Sequence, residues 1–445
     1  MIYLLVIILG FLTYFIYYIY KDVLNPAFVF SAVFLVASIN LMTNIDTVGV
    51  NIHLDTILCI LFGILALFVG TILINKVNIR VRSTFFDTIS VIKKKRRVQL
   101  NNCFLFLTLI FNIFSIFYIL KEVYSLTIQY AYYSGSVLGS LSVFAEVSKF
   151  GNIGLRVGTL STFLSAFLEA EAFVLGYIII SSFVDKTKNN ILVILCFITS
   201  FLSTFCQGSR GGIFIIITLL VIYVLLDRIN RNKKHINMKL IRKGFLAVLI
   251  ALVVFQITGV ATGKNWDISA YEYLSVYLGF PIYNFDRALL NGIPRTKPIG
   301  LASFPGLYSN LFPKLGIDFE KYTYLSNFLS LNGHNTGNVY TIFGSLIADF
   351  GFIGATFVLM VIGSIMQLLY NKSKRNEYAI SMAQILYAYF LSCIAFSFFS
   401  NKICENITMY HIFEFIFACL WSMLLTRKSR KRRVKRTNIY YEYNR

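Results

Sequence analysis

The run Gln207-Gly208-Ser209-Arg210-Gly211-Gly212 places one guanidinium among glycines at the start of an apolar stretch. Backbone N–H groups at a helix start, with an arginine beside them, make an anion site, and glycines let a phosphate approach the backbone closely. A tight turn carrying a snorkelling arginine fits the same residues. Gly333-His334-Asn335-Thr336-Gly337-Asn338 sets a histidine among small polar residues ahead of another apolar stretch. Its imidazole suits proton transfer or a hydrogen bond to phosphate. Asn and Thr there also suit a plain helix-entry turn. Arg287, in Tyr283-Asn284-Phe285-Asp286-Arg287, is a third candidate, with Asp286 as its obvious partner. Glu169 and Glu171 lie in the middle of a long apolar segment. A carboxylate at that depth costs about 2–3 kcal/mol or more, so it is a functional candidate by default. At i, i+2 the two point to different helix faces, so one is expected to line a cavity and the other to mark a helix break. Asp349 reads as a cap or boundary residue.

Positioning these groups falls to a very apolar chain. Of its 445 residues, 57% are hydrophobic and 14% charged, and mean hydropathy is +0.70. Soluble domains carry about 25% charged residues, which excludes an ordinary soluble enzyme and, equally, a disordered chain. The apolar runs are continuous rather than alternating, which excludes a β-barrel. The expected fold is an all-α polytopic membrane protein, one integral membrane domain over 1–445. About eleven spans are expected, near 2–20, 25–43, 55–75, 102–120, 158–184, 190–207, 212–226, 244–259, 351–370, 378–399 and 407–425. The run 212–226 is short and is expected to extend through Gly211 or Asp227.

Most of the 41 lysines and arginines fall in segments 21–24, 76–101, 185–189, 227–243, 371–377 and the tail 426–445. The positive-inside rule puts these in the cytoplasm, with the N-terminus outside and the C-terminus inside. The net charge of +21 is therefore read as topology rather than as a nucleic-acid surface. The basic tail acts as a stop-transfer anchor in preference to a headgroup-binding patch. Two outer segments are long, 121–157 and 260–337. The second holds five of the six prolines, so it is not one spanning helix, and a loop of that length is usually functional. No CxxC or zinc-like spacing occurs, and a Cys206–Cys404 disulfide is allowed by topology but not expected.

Taken in order, these pieces resemble the Wzy-type O-antigen and capsule polymerases, and they share features with the related O-antigen ligases. The residues that carry the likeness are Gly208-Ser209-Arg210-Gly211 opening an apolar helix, the large loop, then His334-Asn335, Val339-Tyr340 and Asp349-Phe350-Gly351-Phe352-Ile353-Gly354. Leu24-Asn25-Pro26 at the second span fits the polymerase group. The resemblance implies a GT-C-like inverting glycosyltransferase of the bacterial inner membrane. It would polymerise undecaprenyl-diphosphate-linked oligosaccharides with no metal, nucleotide sugar or other cofactor. A chain-length regulator and a flippase are its implied partners. Arg210 and His334 match by local motif, and Arg287 by order and rough spacing. Arg210 and Arg287 would neutralise the diphosphate. His334 is the first choice of base and Glu169 the second. Ser209, Gly211, Asn335, Tyr340 and Glu169 would contact substrate. A ligase would instead transfer the glycan to a lipid A core. A transporter of lipid-linked oligosaccharide is the non-enzyme rival, and it would show repeat symmetry and charges through the bilayer.

Overall fold

The structure, a computed structural model, describes residues 1–85, 100–133, 135–150, 155–184, 190–207, 211–232, 269–312, 315–317, 322–374 and 381–425. It is helical almost throughout. Among the described residues, six helices are long and apolar enough to cross a membrane: Ile2–Tyr20, Leu54–Asn75, Asn102–Ala131, Thr159–Phe183, Gly211–Ile229 and Thr341–Ser373. Four shorter apolar helices accompany them: Pro26–Met42, Ile191–Ser203, Met382–Ala395 and Met409–Leu425. Ten of the expected spans thus coincide with helices. The run 244–259, the basic clusters at 93–97 and 427–433, and the start of the large loop lie outside the described residues.

In chain order the helices are α1 (Ile2–Tyr20), α2 (Pro26–Met42), α3 (Ile45–Val48), α4 (Leu54–Phe85), α5 (Asn102–Ala131), α6 (Val137–Phe150), α7 (Thr159–Val184), α8 (Ile191–Ser203) and α9 (Gly211–Asn232). Then follow α10 (Ala270–Leu278), α11 (Phe280–Leu290), α12 (Pro305–Leu311), α13 (Thr341–Ser373), α14 (Met382–Ala395), α15 (Lys402–Glu405) and α16 (Met409–Leu425). A two-stranded antiparallel hairpin, β1 (Leu329–Leu331) and β2 (His334–Gly337), precedes α13.

Local chemistry explains several boundaries. Asn25 caps α2 by accepting from the Ala27 and Phe28 amides, and Pro26 supplies the N1 position. Such a cap contributes about 1 kcal/mol. The helix α9 starts at Gly211 and runs past Asp227, as its short apolar run requires. The span expected at 351–370 is instead the second limb of α13, which starts ten residues earlier and bends at Gly351 (φ 70, ψ −179). That conformation is essentially reserved for glycine. The Arg295 guanidinium lies against Gly351 where a side chain would be, and it donates to the Ile347 carbonyl at 3.0 Å. Asp349 is the expected boundary residue: its carboxylate accepts from the Ala302 and Ser303 amides and from Thr296.

At the centre of the bundle α4 packs closely on α13. A Cβ at Gly70 would strike the Met360 carbonyl, and one at Gly363 the Leu67 carbonyl. Small residues let apolar helices approach so closely, and Ser364 then reaches the Gly70 carbonyl at 3.2 Å. Large apolar side chains face outward instead, among them Phe11, Tyr14, Phe114 and Phe117 on α1 and α5. This is a multi-pass membrane protein, with an apolar belt turned toward lipid.

Polar contacts collect at the two ends of the bundle. One end joins Asp22 to Lys374 at 2.7 Å, Asn25 to Gln367 at 3.0 Å, and Gln367 to Asn75 at 3.0 Å. The other end joins the hairpin to the α3 turn through Asn332 and the Val48 carbonyl at 2.9 Å, and α11 to the start of α4 through Asp286 and His53. The cysteines of the described residues are free thiols, Cys206 and Cys404 included.

Candidate functional site

The two glutamates of α7 are separated by the helix itself. Glu171 faces α5, where its carboxylate accepts from Asn112 Nδ2 at 3.0 Å. It is fully buried and marks no break, since α7 is continuous. Glu169 faces α16, with its carboxyl in side-chain contact with Glu414 and Tyr410. Of the two outcomes expected for this pair, only the cavity-lining one is found.

Glu169 forms part of the wall of a cavity of about 310 Å³. Helix α7 adds Ser165 and Phe173, and the turn after α8 adds Thr204 and Gln207. Gly211 and Gly212 from the first turn of α9 complete that side. The opposite wall is Tyr389 of α14, Lys402, Asn406, and Tyr410, His411 and Glu414 of α16. Glu414 is fully buried, and neither of its carboxyl oxygens has a hydrogen-bond donor among the described residues. Ser209 and Arg210 lie outside the described residues. The residues on either side of that link, Gln207 and Gly211, both line the cavity.

A second cavity of about 250 Å³ adjoins the first, and both are lined by Lys402. Its wall includes Tyr322, Asn338, Tyr340, Thr341, Ser400 and Glu405. Lys402 pairs with Glu405 at 2.6 Å across the one turn of α15. Burial pushes the phenols of Tyr322 and Tyr340 up to about 12, aided by the neighbouring Tyr324, so both stay neutral donors at ordinary pH. Tyr340 Oη donates to the Asn327 carbonyl at 2.7 Å, and Tyr322 Oη to that of Pro294 at 3.1 Å.

The remaining candidates sit on a separate unit of the same end. His334 opens β2, and its Nδ1 lies 2.7 Å from Glu272 Oε1 of α10. A helix-entry turn was one expectation for this stretch. The structure has a hairpin instead, turned by Asn332 (φ 51) and Gly333 (φ 85). An Asn-Gly pair favours that turn because both residues tolerate positive φ. Asn335 is exposed, and its side chain accepts from the Gly337 amide at 2.8 Å. Helix α11 clamps the hairpin: buried Asn284 Nδ2 donates to the Thr336 and Val339 carbonyls at 2.8 and 3.2 Å.

Arg287 lies one turn along α11 on the face that Asn284 occupies. It is not paired with Asp286, which corrects the sequence expectation. The Asp286 carboxylate instead accepts from the His53 amide, the His53 ring and Thr56, at 2.7, 2.9 and 2.7 Å. Position i+1 on a helix points about 100° away, so adjacent opposite charges need not meet. The Arg287 guanidinium stands 5.0 Å from the centre of the Tyr283 ring, and its buried Nε has no partner among the described residues.

The structure thus brings Glu169 and Gly211 together in one cavity and puts Tyr340 in the adjoining one. Arg287, His334 and Asn335 line neither. Lys402, Tyr410, His411, Glu414 and Glu272 were missed by sequence reasoning. Glu414 carried a usable signal, a carboxylate inside the last apolar run, which is the same signal that singled out Glu169. Lys402 carried a weaker one, a lone cation between two apolar runs on the side poor in basic residues.

A family model described as "Putative O-antigen polymerase" matches residues 22–396. No curated protein matches, and no solved structure matches.

Proposed function

The chain belongs to the O-antigen polymerase family, and on that premise we propose that it joins undecaprenyl-diphosphate-linked oligosaccharide repeat units into a long O-antigen or capsular glycan. The observation that carries this reading is the pair of polar cavities sharing Lys402 toward one end of the bundle. The basic residues of the opposite segments support a topology with that end on the outer face of the inner membrane.

The growing glycan is the donor and the next lipid-linked unit the acceptor. An acceptor hydroxyl oxygen attacks the anomeric carbon of the donor from the face opposite the diphosphate. The new carbon–oxygen bond forms as the carbon–oxygen bond to phosphate breaks, and its electron pair leaves with the lipid diphosphate. Configuration at that carbon inverts. A diphosphate is a good leaving group, so the step needs charge neutralisation more than acid help. Arg210 and Arg287 supply it, the latter with a buried Nε still open to an acceptor. His334 Nε2 takes the acceptor proton while Glu272 holds Nδ1.

The test is a purified-protein assay on a lipid-linked repeat unit, read as a ladder on a gel. The wild type should give a ladder, and Arg210→Ala should give none at equal protein level. A normal ladder from Arg210→Ala removes that residue from the site. A deletion strain separates the rival activity, since one-repeat chains on the lipid A core mean polymerase and bare core means ligase.

A further inference from the structure

We infer that the larger cavity is the acceptor-sugar subsite, in which Glu169 and Glu414 receive the hydroxyl groups of the incoming repeat unit's terminal sugar other than the attacking one, which is left outside the cavity to His334. This rests on the polymerase reading above and assigns a part of the site that the family match leaves open. The first ground is the state of Glu414. It is fully buried on a membrane helix, in side-chain contact with the Glu169 carboxyl, and no donor other than that neighbour reaches either oxygen among the described residues. Two carboxyls in contact share one proton, and the lone pairs left over still call for donors from whatever fills the cavity. Sugar hydroxyls bring them, and Gln207, Asn406 and His411 on the same wall can meet their remaining lone pairs and hydrogens.

Size agrees. A volume of about 310 Å³ holds roughly ten waters, close to the dozen heavy atoms of one hexose.

Charge then decides which sugar enters. A carboxyl pair that shares one proton keeps a single negative charge, and in a dry site that charge still repels a diphosphate. The one described cation of the wall, Lys402, is held by Glu405 at 2.6 Å. The reacting sugar of the donor is bonded directly to its diphosphate and cannot enter without it. The reacting sugar of the acceptor is the far end of a glycan, a whole repeat unit away from its own diphosphate. The carboxyl cavity therefore takes the acceptor, and the next sugar of that unit passes Lys402 into the cavity of Tyr322 and Tyr340.

The test uses the full-length protein in nanodiscs and two probes, undecaprenyl diphosphate alone and the undecaprenyl-diphosphate-linked repeat unit. Glu414→Gln should weaken binding of the sugar-bearing lipid at least tenfold and leave undecaprenyl diphosphate within twofold. Gly212→Leu tests the space without touching the charges. A Cβ there lies 3.4 Å from Glu169 Oε1, an ordinary contact, so a longer side chain fills the cavity. It should give the same selective loss. Wild-type affinity for the repeat unit in both variants, or equal loss of both probes, overturns the subsite. A wild type that makes no ladder and does not distinguish the two lipids overturns the polymerase reading instead.

Discussion

At His334 one ring nitrogen is already engaged. Nδ1 sits 2.7 Å from Glu272, and both side chains are only partly exposed. A carboxylate on Nδ1 fixes the ring's tautomer and orientation and leaves Nε2 to act. On the proposed base role of His334, Glu272 is its positioning residue, and that role separates cleanly from a structural one. Glu272→Gln should slow ladder formation roughly tenfold to a hundredfold, less than the roughly hundredfold to ten-thousandfold of losing a general base outright. Added to His334→Ala it should cost nothing further, because residues that act as one unit are not additive. A double variant much slower than His334→Ala alone would show that Glu272 acts elsewhere. Arg287 makes a different point at this scale. Its Nε lacks a partner because Asp286 turns to His53 and Thr56. Sequence adjacency suggested the opposite, and only the helical offset between neighbours decides it.

Between elements, the governing contact is the grip of α11 on the hairpin. Asn284 Nδ2 reaches three carbonyls in and just after β2, and removing it takes that buried donor away from them. Losing buried hydrogen bonds of this kind costs about 1–3 kcal/mol. Asn284→Ala should therefore raise amide exchange over residues 334–337 roughly fivefold to a hundredfold, with exchange in α4 and α13 unchanged. Unchanged exchange in the hairpin would mean that β1 and the turn hold it alone. The same scale shows what the sequence made legible. Apolar runs of span length needed no partner to be recognised, so α1, α5, α7 and α9 fall within a residue or so of their expected starts. Asn25-Pro26 and Asp349 also did the local work their types imply. The long loop was harder, because its elements are short and held by distant residues. The hairpin had a local signal in Asn332-Gly333, while the stretch Gly333–Asn338 offered a helix entry as one of its readings. The carboxyl cavity had none as a unit, since Glu169 and Glu414 are 245 positions apart and meet only because α7 packs on α16.

Over the whole molecule, the inter-element polar contacts gather mainly at two ends, with Glu171 and Asn112 paired between them, and the two ends follow the charge pattern. Segments 21–24 and 371–377, grouped by their basic residues, meet through Asp22 and Lys374. The turn at 43–53, the hairpin and the turn before α9 gather at the far end with both cavities. The proposed polymerase activity requires this second end to face outward. Ser330, exposed on β1, and Lys372, exposed at the last turn of α13, mark the two ends. With the native cysteines replaced, Ser330→Cys should react with a membrane-impermeant maleimide in intact spheroplasts. Lys372→Cys should react only after lysis. Labelling of both from one side would break the two-ended arrangement. The reverse pattern would keep the fold but turn the cavities toward the cytoplasm, and Arg210, Arg287 and Glu414 would then face the wrong compartment for the acceptor they are proposed to serve.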